Sequence, residues 1–269
     1  MSGSDASPPK EFMAYHSDPK KKMFSGSIIM KNVPGALAAV STILAENGLN
    51  LIASESTNIR ATGDSVWGFF AEAEKEGLTA STVKRSLDSS PVVLKSCVDA
   101  GFSGVVIDKY HYPLQFTMGQ KAVIFQRGDI INMFGRLRHV FQTGAAVMIY
   151  EMGLAAGQSD ARDLIENLGK HIVQNNLDEI VFLYSATGWG RPELVDLQFE
   201  PFRARLRISD NFECSEMRSK TPNSHYIRGH LSGFVSLIFE KKNSVRERKC
   251  IAMGDPYCEF EVTEEEVTP

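Results

Sequence analysis

The chain has 269 residues, 43% hydrophobic and 23% charged, with a formal net charge of −4. Its longest apolar runs fall short of the roughly 20 residues that a membrane helix needs, and the mildly acidic balance offers no basic stripe for direct nucleic-acid binding. Four cysteines in this length do not make a disulfide scaffold; they fit reduced thiols in the cytoplasm, and the polar N-terminus has no apolar segment of the kind an export signal carries.

Residues 1–22 are rich in Ser, Asp, Pro and Lys and read as a disordered tail, with order starting at Met23. FSGSIIM from Phe24 is strand-like. Pro34-Gly35 then turns into a helix whose Leu37, Val40, Ile43 and Leu44 share one face, and Gly48 ends it. LNLIASESTN and SVWGFFAEAE are strands joined by the turn Thr62-Gly63-Asp64. A short helix runs from Thr79, a suitable N-cap, to Leu87, and VVLKSCV is a fourth strand. This β-α-β-β-α-β order over residues 23–100 is the ferredoxin-like arrangement, with two helices on one face of an antiparallel sheet.

GVVIDKYHYPLQ reads as a connector with a domain boundary near residue 105. A helix follows from about Asp129 to Phe141, then AAVMIYEM as a buried strand or helix start. Met152 to Asn176 is helical, with Gly153 and Gly157 four apart on one face for close helix packing. After a further helix from Leu177 to Tyr184 and a sharp turn at Gly188–Pro192, Leu194–Phe199 and Ala204–Ile208 read as paired strands. The last stretch, Gly229–Phe260, is an apolar helix followed by a charged turn and a strand pair carrying Glu247, Cys250 and Cys258. Two thiols and a carboxylate within twelve residues build a metal site or close a core.

Two resemblances follow from particular residues. V-P-G-A-L at Val33–Leu37, followed by a helix and G-L-N-L-I, resembles the ACT domain over about residues 24–99. That resemblance implies a side-by-side homodimer and an amino-acid-like effector bound at Asn32, Val33, Pro34, Gly35, Ala36 and Leu37. A turn at a helix N-terminus also offers backbone N–H groups to a carboxylate, although starting the helix is by itself sufficient reason for Pro-Gly. N-F-E-C at Asn211–Cys214, G-H-L-S-G-F at Gly229–Phe234 and E-x-x-C-x-A-M-G-x-x-x-C from Glu247 to Cys258 resemble the 4-vinyl-reductase domain over residues 110–262, within a second domain set at residues 105–263. That small-molecule-binding module occurs in phenol- and xylene-responsive activators and in archaeal proteins, and it shares its fold with trafficking subunits and haem-based nitric oxide sensors. The fold class is therefore α+β: an N-terminal ACT domain followed by a larger 4-vinyl-reductase-type domain with helices packed on an antiparallel sheet.

In the phenol sensors the equivalents of Glu247, Cys250 and Cys258 bind zinc with a further cysteine, whose position here is Ser224. Cys214 or His225 could supply the fourth ligand of a structural zinc; otherwise the thiols are core. Phe134, Leu137, Trp189, Phe212 and Phe234 are the candidate lining of a small-molecule cavity, or plain core. His139 and His230 read as packed or surface histidines, and no catalytic residue is assigned. No dinucleotide fingerprint, Walker loop, nucleophile elbow or HExxH helix is present. The expected function is a cytoplasmic, ligand-responsive regulator, with the question of an enzymatic activity left open. It would take a small apolar or aromatic molecule in the second domain, bind no membrane and no nucleic acid directly, and transmit binding through dimer geometry or domain orientation. The alternatives are a reductase or auxiliary enzyme of tetrapyrrole or aromatic metabolism, and a protein-docking adaptor.

Overall fold

The computed structural model describes residues 9–59, 61–74, 76–116 and 119–265. The chain forms two compact units, Met1–Ala122 and Val123–Pro269.

In the first unit β1 (Tyr15–Ser17) is followed by β2 (Met23–Met30), α1 (Ala36–Glu46), β3 (Leu49–Asn58), β4 (Ser65–Ala73), α2 (Ala80–Asp88) and β5 (Val93–Ala100). Four of these strands form an antiparallel sheet in the order β3-β4-β2-β5, the ferredoxin-like topology expected from the sequence. Alternation along β2 sends Phe24, Ile28 and Met30 into the core beneath the helices, where they meet Val40 and Leu44 of α1 and Val83 and Leu87 of α2. Thr79 caps α2 by accepting the Thr82 N–H at 3.2 Å. Helix α1 starts at Ala36, so its inward stripe is Ala36, Val40 and Leu44, spaced by four; Leu37, expected on that stripe, is exposed.

The opposite face of this sheet is covered by residues outside the six-element pattern. β6 (Val105–Ile107) pairs antiparallel with β1, and Met13, Met23, Phe70 and Val106 form a second small cluster. Residues 15–17, placed by composition in a disordered tail, are thus a strand; residues 1–8 lie outside the described residues. The connector expected around residue 105 is likewise strand, because Val106 has an apolar face to bury.

The second unit opens with α3 (Arg127–Phe141) and α4 (Thr143–Leu168). AAVMIYEM, read as a strand or a helix start, lies inside α4. Ala145, Ile149, Gly153, Gly157 and Ala161 recur at spacing four and form its buried stripe. The helix stops at Gly169, which has φ +90°, and the chain continues through α5 (Lys170–Asn175), α6 (Leu177–Ile180) and α7 (Leu183–Ala186). β7 (Arg191–Phe199) and β8 (Phe202–Ser209) form a hairpin. Then come α8 (His225–Phe239), β9 (Asn243–Lys249) and β10 (Cys258–Glu264), giving an antiparallel sheet in the order β7-β8-β10-β9. Phe202, Leu206, Ile208, Phe260 and Val262 point from this sheet into one core with Ile149 of α4 and Ile227 and Val235 of α8.

Helices α4 and α8 touch backbone to backbone. A Cβ on Gly153 would lie 2.1 Å from the Tyr226 carbonyl oxygen, and one on Gly157 2.0 Å from that of His230. From the other side, a Cβ on Gly229 or Gly233 would lie 2.0 or 2.2 Å from the carbonyl oxygen of Tyr150 or Leu154, respectively. Four glycines therefore set how closely the two helices cross, and the crossing aligns one end of α8 with the side chains described next.

Candidate functional site

Three segments converge at the N-terminus of α8. The turn after β8 carries Asn211, Glu213 and Cys214. The end of β9 brings Glu247 and Cys250, and Cys258 opens β10. Between Cys250 and Cys258 the chain reverses through a single 3-10 turn, Ile251–Met253, ended by Gly254 at φ +104°. There the Asp255 carboxylate accepts the Cys250 N–H at 2.8 Å. Ligand atoms of Cys214, Glu247, Cys250 and Cys258 all lie within 4.8 Å of one another; the three thiols are fully buried and Glu247 is half-buried.

Ser224 stands where the resemblance expected a thiol, and its N–H and hydroxyl both serve the carboxylate. The N–H donates to Glu247 Oε2 at 3.0 Å and the hydroxyl to Oε1 at 2.7 Å. Ser224 Oγ also accepts from Asn211 Nδ2 at 3.0 Å and lies 3.1 Å from the Cys214 sulfur. Cys214 supplies the third sulfur of the group, 3.6 Å from Cys250. His225, the other sequence candidate for the fourth position, lies outside the group, and its buried Nδ1 has no hydrogen-bond partner among the described residues.

The electrostatics describe a cluster that cannot hold all its charges unaided. Hydrogen bonds from Cys214 and Cys250 pull the Cys258 thiol down, with the Ile251 N–H adding a weaker contact at 3.4 Å. Hydrogen bonding with Cys250 and Cys258 pushes Cys214 up, so Cys214 and Cys258 are driven in opposite directions. Burial pushes the Glu247 carboxyl up to about 7, against the pull of Ser224. A divalent cation at this point would neutralise the charges that burial opposes. Three sulfurs and one carboxylate oxygen are a closed, soft tetrahedral donor set, so the residues fit zinc.

Beside the cluster, Glu213 is almost fully buried and caps α8: the N–H groups of Tyr226 and Ile227 donate to it at 3.0 and 3.2 Å. Arg138 of α3 donates at 3.3 Å. Burial pushes this carboxyl up to about 8, with the helix N–H groups and Arg138 pulling the other way. His225 shows the opposite behaviour. Burial first, then Arg228 and Arg138, push its imidazole down to about 4 from an ordinary 6.5. On acidification the unfolded chain takes up this proton first, so the stability is whole above pH 6.5 and is lost as pH falls towards 4. His225→Gln is therefore expected to flatten the melting-temperature decline between pH 6.5 and 4 relative to the unaltered chain, measured by calorimetry in matched buffers.

The aromatic candidates divide into two groups. Trp189 lies 5.7 Å from Phe212 and 5.5 Å from Tyr226, and Phe134 lies 6.5 and 5.8 Å from the same two rings, centroid to centroid. Leu137 packs against this cluster. Phe234 stacks on His230 and joins a separate group with Ala161, Val173 and Ile238.

Sequence reasoning missed a polar chain on this edge. The Tyr184 hydroxyl is 2.8 Å from His230 Nδ1, and His230 Nε2 is 3.0 Å from Asp160. A carboxylate only accepts, so Nε2–H donates to Asp160 and Nδ1 accepts from Tyr184. The chain runs from a half-exposed carboxylate through a buried imidazole to a phenol whose burial holds its pKa well above the usual value. The available signal was spacing: Tyr226, His230 and Phe234 recur every four residues along α8.

In the first unit, Asn32, Val33, Pro34 and Gly35 are exposed at the turn before α1, with Gly35 at φ +86° as N-cap; Leu37 is exposed and Ala36 buried.

Fold and site together define a two-module chain. The ACT-domain family model matches residues 27–82 and the 4-vinyl-reductase-domain family model residues 204–264, so the chain carries an ACT domain followed by a 4-vinyl-reductase domain. It is 30% identical over 98 residues to the protein MJ1642 of Methanocaldococcus jannaschii, covering 36% of this chain and 58% of that one. It is 26% identical over 126 residues to MJ1460 of the same organism, covering 46% and 70%. This chain thus spans little more than half the length of the first relative. Among solved structures it is similar to the phenol-responsive sensory domain of the transcription activator PoxR with phenol, at 17% identity and TM-score 0.46, covering 58% of this chain and 87% of that one. It is also similar to a vinyl-4-reductase family protein from Methanocaldococcus jannaschii, at 20% identity and TM-score 0.33, covering 54% and 99%. Among the described residues no helix is long and apolar enough to cross a membrane.

Proposed function

We propose that the protein is a ligand-responsive regulator whose 4-vinyl-reductase domain takes up a small aromatic or apolar molecule and whose ACT domain takes an amino-acid-like effector at the turn Asn32–Leu37. The observation that carries this reading is the ring cluster of Phe134, Trp189, Phe212 and Tyr226 beside the buried Tyr184–His230 pair. An apolar, aromatic surround with a few placed polar groups is what orients a small ligand. Binding would require these rings to part, with Trp189, half-buried at the turn before β7, as the side chain that moves. Zinc held by Cys214, Glu247, Cys250 and Cys258 would be structural, tying the β9–β10 turn to the turn after β8. A homodimer belongs to the same reading, and Val147, Met148 and Met152 of α4 expose apolar surface that a second copy could cover. If a ligand in one domain changes the affinity of the other, the coupling acts equally in both directions.

The test is a melting series of the full chain with phenol, p-cresol, toluene and a set of amino acids. A ligand specific to the folded state at a hundredfold excess over its Kd stabilises by about 2.7 kcal/mol, which for a domain of this size raises Tm by roughly 5–10 °C. An unchanged Tm across the series would contradict the reading.

A second reading is favoured by one specific observation. The chain Asp160–His230–Tyr184 links the surface to a buried hydroxyl, as a reductase would need for delivering a proton to a buried substrate. A nicotinamide, flavin or redox-metal absorbance in the purified protein would support it.

A further inference from the structure

The face of the N-terminal sheet turned away from α1 and α2 carries a second constellation, independent of the reading above. Ser27 lies on that face of β2, directly across from Gly68 of β4 and Cys97 of β5. His111, in the segment after β6, rests on the sheet above Gly68. A Cβ on Gly68 would stand 2.5 Å from the imidazole Cε1 and 3.1 Å from Nε2, so glycine is what lets the ring lie this close. His111 Nδ1 is 2.8 Å from Asp108 and Nε2 is 2.9 Å from the Ser27 hydroxyl. Asp108 also accepts the Tyr110 N–H at 3.0 Å, which fixes the carboxylate in place.

The polarity of this chain follows from the donors. An ionised carboxylate only accepts, so Nδ1 of His111 carries the proton and Nε2 of the neutral ring accepts from Ser27. Carboxylate, imidazole and hydroxyl then stand in the order that turns a serine into a nucleophile, an order recognised by geometry and roles, not by sequence position. The group is only partly buried: the side chains of His111 and Asp108 keep 28% and 18% of their exposure, and Ser27 is half-buried, so a reagent can reach the hydroxyl. Lys109 and Asp99 pair with each other close by, and Tyr110 lies near Asp99, Cys97 and Asp108.

We propose that Ser27 is an activated serine, an acceptor site for the acyl group of an activated ester. Ser27 Oγ bonds to the acyl carbon and the bond from that carbon to the departing aryloxide oxygen breaks. The hydroxyl proton moves to His111 Nε2, whose positive charge Asp108 stabilises, and then leaves on the departing phenol; nothing is oxidised or reduced. β2 is paired on both edges, so its backbone N–H groups are engaged in the ladders and offer no oxyanion donor beside Ser27. The site supplies a base-activated nucleophile without that stabilisation, so it acts as a stoichiometric acceptor and not as a fast hydrolase.

The test treats the full chain with p-nitrophenyl acetate and, separately, a fluorophosphonate, and maps the modified residues by peptide mass spectrometry. Ser27 is expected to react at least about 100-fold faster than Ser54 and Ser56, which are exposed on β3 of the same sheet, the scale of a positioned general base. His111→Gln is expected to remove that advantage, and Asp108→Asn to reduce it about tenfold or more while keeping the imidazole. Ser27→Ala leaves the peptide unmodified. Ser27 reacting no faster than Ser54 and Ser56 would overturn the proposal without recourse to any variant. A labelling rate unchanged in Asp108→Asn, or variants that change only the melting temperature, would also overturn it and leave the three side chains as a fastening of the connector.

Discussion

Cys258→Ala is expected to lower the melting temperature of the chain by about 10 °C or more, and to make it indifferent to a chelator that lowers the melting temperature of the unaltered protein. Two magnitudes separate a metal site from plain core. If the three sulfurs and Glu247 are only core, the substitution removes one small buried sulfur and costs about 1–2 kcal/mol, as for a modest truncation in a packed site. If they hold a structural zinc, losing a ligand forfeits part of a binding free energy that reaches about 10–16 kcal/mol in zinc-dependent folds. A loss of about 4 kcal/mol corresponds to roughly 8–16 °C for a domain of 150–250 residues. Calorimetry of the unaltered and substituted chains, with and without chelator, tells the two apart. Cys250→Ala should behave as Cys258→Ala does, because both thiols are fully buried in the same group.

Gly157→Ala and Gly229→Ala are each expected to destabilise by about 3 kcal/mol or more, although alanine in place of glycine within a helix normally gains about 1 kcal/mol. The sign reverses because the added carbon would stand 2.0 Å from a carbonyl oxygen of the facing helix in both cases. Backbone cannot swing aside as a side chain can, so α4 and α8 must separate and loosen the core that both helices share with the sheet. Gly135 of α3 is the internal control. Among the described residues nothing lies within 4 Å of a Cβ there, and Gly135→Ala is expected to stabilise by about 0.5–1 kcal/mol. Urea midpoints of the three variants test both signs in one experiment.

Much of this was legible in the sequence where the signal is local. The ferredoxin-like unit follows from strand alternation, a capping threonine and a helix stopped by glycine. The glycines of α4 showed as a spacing of four. Glu247, Cys250 and Cys258 stand within twelve residues and could be read as a group. Contacts that the chain makes across long separations were not legible. His230 reaches Tyr184 across 46 residues and Asp160 across 70, and His111 reaches Ser27 across 84, whereas Cys214, 36 residues from Cys250, was named from the sequence as one of two candidates beside His225. β1 has three residues, none of them fully buried, so no periodicity marks it; its reason to exist is the distant partner strand Val105–Ile107. Ser224 illustrates a subtler limit. Read by position, it removes a ligand from the metal group; in the fold it orients Glu247 while Cys214 brings the third sulfur.

On this account a metal clasp closes the 4-vinyl-reductase domain around a cluster able to take an aromatic molecule. Native mass spectrometry of the full chain, purified without chelator and sprayed with and without phenol, tests it most directly. The expected spectrum shows one zinc per chain, retained until the protein unfolds, and a further mass of one phenol in its presence. A bare chain that melts at the same temperature with or without added zinc, and takes up no phenol, would contradict it.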